Sequence, residues 1–209
     1  FGPDGELLGG WGGPGTDDGL FLTPGGIAVG ADGVVYVADS RNHRIQHFGP
    51  NGELRGAFGQ QTPLDPNTGQ AVGNAPPGTF TEPWGVAVGP DGSVYVSDTW
   101  NHRVQKFDAA GNVVAVWGRF GQGGALEEMW GPRGIAVGPD GNVFVADTGN
   151  KRIIVFDAQG VGLTAIGRVA APFENAREAK DRPLLLSTLH SPLATSPCPL
   201  LHSADNTNL

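Results

Sequence analysis

Short apolar runs, each closed by a Gly-, Asp- or Asn-rich turn, recur along the first 167 residues and keep register with one another. Residues 24–48, PGGIAVGADGVVYVADSRNHRIQHF, return at 83–107 as PWGVAVGPDGSVYVSDTWNHRVQKF and at 132–156 as PRGIAVGPDGNVFVADTGNKRIIVF. Gly26, Gly85 and Gly134 are 59 and 49 residues apart, as are Asp39, Asp98 and Asp147; the ten extra residues fall between Phe58 and Pro83. A partial copy opens the chain, where FGPDGELLGGWG at 1–12 matches FGPNGELRGAFG at 48–59.

Each unit predicts four short strands. Residues 27–29 form the first, ended by the pair Asp32-Gly33, whose tolerance of positive φ suits a tight hairpin turn. Residues 34–38 are almost continuously apolar, as expected of a strand covered on both faces. Residues 44–48 mix polar with apolar positions and 53–58 are weaker still, so burial is expected to fall from the first strand to the last. Repeated sheets with buried inner and solvated outer strands are the blades of a propeller. The expectation is an all-β propeller with three complete four-stranded blades near residues 24–59, 83–118 and 132–167, a partial blade at 1–12, and a ring that this chain does not close.

The consensus P-x-G-[IV]-A-V-G-x-D-G-x-V-[YF]-V-[AS]-D-[ST]-x-N-x-R resembles the NHL repeat. The resemblance covers residues 1–167 and is nearest to the bacterial versions, DTWNHRVQKFD at 98–108 being its most typical stretch. It implies a propeller usually of six blades, so the remaining blades of a parent bacterial protein would be partners of this fragment. It also implies a choice of roles, since family members serve as sensor domains of membrane kinases and, in animals, as RNA-binding domains.

Composition sharpens this picture. The 35 Gly and 17 Pro accompany 39% hydrophobic residues, which fits turns joining strands better than low-complexity disorder. The Gly stop at Gly167, and the last 42 residues have none. The net charge of −8 lies in the repeats, where residues 1–167 hold 17 acidic and 9 basic side chains against 4 of each in 168–209. An acidic surface repels phosphate, which argues against a nucleic-acid partner. Cys198 is the single cysteine, so no disulfide forms within the chain and the compartment is left open. The apolar runs are too short to span a bilayer; an extracytoplasmic or membrane-attached location would require a segment outside this chain. The tail 168–209 carries no repeat and is interrupted by Pro183, Pro192, Pro197 and Pro199, so it reads either as disordered or as out-of-frame translation.

Two kinds of position stand out. The triplet D-x-x-N-x-R recurs as Asp39, Asn42, Arg44, as Asp98, Asn101, Arg103 and as Asp147, Asn150, Arg152. It is read as a structural turn motif, with Asp accepting backbone N–H groups and Asn in a left-handed conformation. His43 and His102 sit at matching places, as if to begin the metal site of the amidating lyases that share this fold, but the third counterpart is Lys151, whose ammonium a metal repels. No metal site, cofactor or catalytic residue is therefore assigned, and no G-x-S-x-G, H-E-x-x-H or phosphate-loop pattern occurs.

The other kind varies between copies: Gly25, Trp84 and Arg133 after the leading Pro, and Arg41, Trp100 and Gly149 within the turn. Strand order places both on the end that carries the inter-blade loops, the usual binding end. Trp84, Trp100, Arg41 and Arg133 are the ligand-binding candidates, packing between blades being the competing reading for each Trp. The loop 59–82 reads as a recognition loop or a flexible insertion; Arg119, Phe120, Met129 and Trp130 of the loop 118–131 are expected to tuck between blades. The function expected is a non-catalytic scaffold presenting loops to a protein or glycan. The runner-up is a metal-dependent lyase- or lactonase-like enzyme completed by missing blades. Alone, the fragment is expected to self-associate through exposed rows such as Val35 and Val37 or Val94 and Val96.

Overall fold

The computed structural model describes residues 1–68 and 75–167. The readings made for residues 69–74 and for 168–209, Cys198 included, lie outside the described residues. Among the described residues, sixteen strands follow in chain order. β1 (Pro24–Val29), β2 (Val35–Asp39), β3 (Arg44–Phe48) and β4 (Leu54–Phe58) form the first antiparallel sheet. β5 (Gln60–Gln61) and β6 (Thr79–Phe80) pair in parallel across the neck of the long loop. β7 (Pro83–Val88), β8 (Val94–Asp98), β9 (Arg103–Phe107) and β10 (Val113–Trp117) form the second sheet. β11 (Arg119–Phe120) and β12 (Glu128–Met129) repeat the parallel pairing, and β13 (Pro132–Val137), β14 (Val143–Asp147), β15 (Arg152–Phe156) and β16 (Gly162–Gly167) form the third sheet.

The first strands converge, with β7 packed against both β1 and β13, while the outer strands splay apart. This is the fan of propeller blades, and the three blades leave the ring open. One apolar layer lies between the first two blades, built on Ala38, Ile45, Phe80, Val86 and Phe107. A second lies between the second and third, built on Tyr95, Val104, Met129, Val145 and Ile154.

Four expectations are corrected. Burial peaks at the second and third strands rather than the first: β2 is buried throughout, whereas Ile27 and Val29 of β1 are 65% and 64% exposed. Only β7, which has a blade on either side, is a well-buried first strand, so coverage by neighbours decides and strand order does not. Residues 1–12 form no hairpin. They make the turn in which the Gly2 N–H reaches the Glu6 carbonyl, and among the described residues no strand pairs with residues 6–12.

The apolar rows at the open ends also differ from those expected. Val35 and Val37 are buried with Phe48 and half-buried Phe21, and Val94 and Val96 are buried between blades. Ile27, Val29, Ile153, Leu163 and Ile166 are exposed instead. Finally, of the apolar group in the loop 118–131 only Met129 tucks between blades; Phe120 and Trp130 are exposed.

Candidate functional site

The chain turns from second to third strand through a single 3-10 turn, Ser40–Asn42 in the first blade and Thr99–Asn101 in the second. The residue that closes it adopts the left-handed conformation, and that residue is His43, His102 or Lys151, with φ of 54°, 55° and 58°. This corrects the expectation for Asn, whose side chain is used differently. Asn42, Asn101 and Asn150 each donate an amide hydrogen to the Asp three residues earlier. Each also donates to the segment that precedes its blade, at Gly15 O, Thr62 Oγ1 and Gly121 O.

The Asp is the hub. Asp39, Asp98 and Asp147 are fully buried. One carboxylate oxygen accepts a backbone N–H from the loop that leads into the blade, from Leu22, Thr81 and Trp130 at 2.7, 2.9 and 2.7 Å. The other accepts Nε of Arg44, Arg103 and Arg152 at 2.9, 2.8 and 2.9 Å. The Arg forks then hold the carbonyls of the same loop, at Asp17 and Leu20, at Ala75, Pro76 and Thr79, and at Gly124, Ala125 and Glu128. Burial pushes the Asp98 carboxyl upward, opposed by Arg103, the Thr81 N–H and Asn101. The motif therefore fastens each inter-blade loop to the end of its own blade.

A fourth member escaped the sequence reading. Gln46 and Gln105 are fully buried and donate to the same Asp oxygen and to a loop carbonyl, while their own oxygens accept Gly19 and Gly78 N–H. The third blade has Ile154 there. The signal was the repeat R-x-Q at 44–46 and 103–105, broken by its third copy.

Above this layer lies the end of the array that carries the variable residues. The N–H of Arg41, Trp100 and Gly149 donates to the carbonyl of Leu22, Thr81 and Trp130, so the turns and the leading segments share one end. Arg133 stacks its guanidinium over the Trp84 ring at 4.8 Å, one blade binding the next through a cation–π contact. No carboxylate pairs with Arg133 or Arg41 among the described residues. Trp100 is 49% exposed and donates Nε1 to Glu82 at 3.0 Å, which fixes its ring. The structure thus brings Trp84 and Arg133 together and ties Trp100 to them through Glu82, two residues before Trp84. Arg41 is exposed on the first blade's turn.

Trp130 belongs to this end too, 40% exposed and filling the space above Gly149, where a Cβ would meet its ring at 2.5 Å. Its place two residues before Pro132, matching Leu22 and Thr81, was the signal that it is a surface position. His43 and His102 are engaged at the blade junctions. Each Nδ1 accepts a backbone N–H of the next blade's leading segment, from Glu82 and Gly131, both at 3.1 Å. Burial lowers both imidazoles below their ordinary value, against the pull of Glu82 and Asp98 on His43 and of Asp147 on His102. Among the described residues no cluster of three His, Cys, Asp or Glu is placed to hold a metal, and no helix is long and apolar enough to cross a membrane.

The family model described as NHL repeat matches residues 21–48, 80–107 and 129–156. The chain is 32% identical over 96 residues to NHL repeat-containing protein 2 of Gallus gallus, covering 46% of this chain and 12% of that protein. It is 32% identical over 100 residues to the protein brain tumor of Drosophila melanogaster, covering 46% and 9%. The chain therefore spans about an eighth or less of these curated relatives, and since they are animal proteins the expected bacterial origin finds no support in them. Among solved structures, a virginiamycin B lyase of Staphylococcus aureus superposes with a TM-score of 0.50 at 18% identity, over 76% of this chain and 44% of that one. The structure of U3-55K superposes with a TM-score of 0.51 at 12% identity, over 69% and 39%. Both likenesses concern the fold.

Proposed function

This chain is built of NHL repeats folded as propeller blades, and on that premise we propose that the blade array of residues 1–167 is a non-catalytic scaffold whose loop end binds a protein partner. The observation that carries this reading is Arg133 held over Trp84 with no carboxylate paired to it among the described residues, beside a Trp100 whose ring is fixed but half exposed. Trp and Arg supply most of the energy at protein interfaces, because they combine area with planar hydrogen bonding at low entropic cost. Orientation in advance of binding adds to this by reducing what must be ordered on contact. Arg41 and Trp130 extend the surface to both sides. A glycan would find the same aromatic faces but leaves the unpaired guanidiniums without a carboxylate unless it is acidic.

The reading explains why the polar motif repeats and the outer residues do not. Asp, Asn, Arg and His are occupied in holding the loops, so specificity falls to the positions that vary. Affinity capture from an extract of the source organism, run with the wild type, with R133A/W100A and with an opposite-end control, N51A, tests it. A partner retained by the wild type and control and lost by R133A/W100A supports the reading. Equal retention by all three, or capture restricted to acidic glycans, overturns it.

A further inference from the structure

The second strand of the middle blade departs from both its counterparts at a single position. β2 reads VYVAD and β14 reads VFVAD, whereas β8 reads VYVSD, so Ser97 stands where the other blades have Ala38 and Ala146. Ser97 is fully buried, and a buried hydroxyl is costly unless its hydrogen bonds are made. Its oxygen accepts the Gly85 N–H at 2.8 Å, and its hydrogen goes to the Arg133 carbonyl, the Gly85 carbonyl at 3.4 Å being the more distant acceptor. Gly85 follows Trp84 directly. One hydroxyl therefore joins the peptide group after Trp84 to the peptide group after Arg133, the two residues whose side chains stack across the junction at 4.8 Å.

Strand register responds to the same residue. β1 pairs with β2 at Pro24 and next at Ile27, and β13 pairs with β14 at Pro132 and next at Ile135, so both residues after each of these Pro are left without a rung. β7 pairs Gly85 with Ser97 as well, and only Trp84 falls between rungs. The irregularity narrows to the residue that carries the ring, and an irregularity of this kind aims a side chain out of the ladder. The approach of the following blade differs too. A Cβ on Gly85 would lie 2.2 Å from the Arg133 carbonyl oxygen, whereas one on Gly26, its counterpart, would lie 2.9 Å from the Trp84 carbonyl oxygen. Beside Gly26 the second strand has Ala38, which offers no hydroxyl.

A cation–π contact at an exposed site is weak by itself, and it persists when the two backbones that present it are already fixed. The Trp84 carbonyl packs on Gly25 and Gly26 of the first blade, and Ser97 holds the other side of the same peptide group. We propose that Ser97 is a positioning residue of the loop-end surface: its hydroxyl sets β7 and β13 at the spacing that lays Arg133 over Trp84, a role that rests on the loop end being the binding surface. Because the hydroxyl engages only the Arg133 carbonyl, the guanidinium is left free to face a partner.

Heteronuclear NMR of the full chain tests this through the Arg133 side-chain N–H resonance, which the face of an indole ring shifts upfield. R133K identifies the resonance by removing it, and W84L gives its unstacked position. S97A is expected to move the resonance to the W84L position, and the fold accepts this change because Ala38 and Ala146 already occupy the equivalent sites. S97C, close to Ser in volume but a weak donor, should behave as S97A does. A resonance unmoved in S97A overturns the proposal, whether or not the melting temperature falls, since the stack then forms without the bridge. A wild-type resonance in S97C overturns it as well, because filling the space would then suffice. No partner enters this measurement, so its failure strikes the role of Ser97 alone, whereas failure of the capture experiment strikes the binding reading alone.

Discussion

Replacing Asp98 by Ala should destabilise the array more than replacing Asp39, although the two residues belong to the same motif. Asp98 accepts Thr81 N–H, Asn101, Arg103 and Gln105, and the Arg103 side chain it neutralises is 8% exposed. Without the carboxylate that guanidinium keeps only loop carbonyls. Removing one partner of a buried ion pair typically costs about 3–5 kcal/mol, because the remaining charge stays desolvated and uncompensated. Arg44 is placed differently: its side chain is 14% exposed, and a second carboxylate, Asp18, holds it at 2.7 Å. D39A should therefore cost roughly half as much, on the order of 2 kcal/mol. D147A should rank with D98A, since Arg152 is 1% exposed and pairs with no other carboxylate among the described residues. Urea denaturation followed by tryptophan fluorescence measures all three, with equal slopes required before the midpoints are compared. A cost for D39A equal to that of D98A, or costs below about 1 kcal/mol for all three, would refute the argument that loop fastening depends on a desolvated charge.

Three further outcomes are expected. Because burial holds His43 and His102 below their ordinary value, the unfolded chain binds more protons as pH falls through about 6.5, so their contribution is complete above that pH and is lost below it; H43N/H102N should flatten the fall in melting temperature between about pH 7 and 5, and an unchanged slope would exclude the two imidazoles. G111A should destabilise by about 1–3 kcal/mol, since the residue has φ of 85° and its Cβ would meet Phe58 at 2.8 Å; a neutral effect in thermal melting would mean that Phe58 moves freely. Q105L should cost about 1–3 kcal/mol by stranding the Gly78 N–H and taking one donor from Asp98, Thr79 O keeping the Arg103 guanidinium, whereas I154Q should stay within about 1 kcal/mol, because Asp147 and the Glu128 carbonyl offer the counterparts of what Gln105 uses; chemical denaturation of both decides it.

Period and turn chemistry were enough to place the strands, because Asp-Gly pairs and short continuous apolar runs act locally. Burial was misjudged wherever it depends on a neighbour. Ile27 and Val86 occupy equivalent positions in near-identical sequences, yet one faces open space and the other a blade. The left-handed residue was assigned to Asn on its intrinsic tolerance, but His43, His102 and Lys151 take it because Asn must aim its amide at Asp and loop together. Gln46 and Gln105 read as ordinary strand polars, since only the fold brings the loop backbone 26 residues upstream against them.

The variable positions were treated at the outset as free to specialise, and packing narrows that freedom. Gly25 has no side chain because a Cβ there would lie 2.7 Å from the Trp84 carbonyl and 2.9 Å from Ser40 Oγ, so the second blade's approach excludes one. Gly149 is small because the Trp130 ring occupies its space. Two of the six variable residues are thus consequences of the neighbouring chain and carry no choice of ligand. Trp84 is paired by Arg133 from the next blade, so these two act as a unit across one junction. The independent choices at the loop end reduce to Arg41, Trp100, Trp130 and the Trp84–Arg133 pair: two guanidiniums without carboxylates, beside indole faces held in fixed orientation. That set fits a partner offering carboxylates beside apolar side chains better than it fits a uniformly anionic or uniformly apolar one.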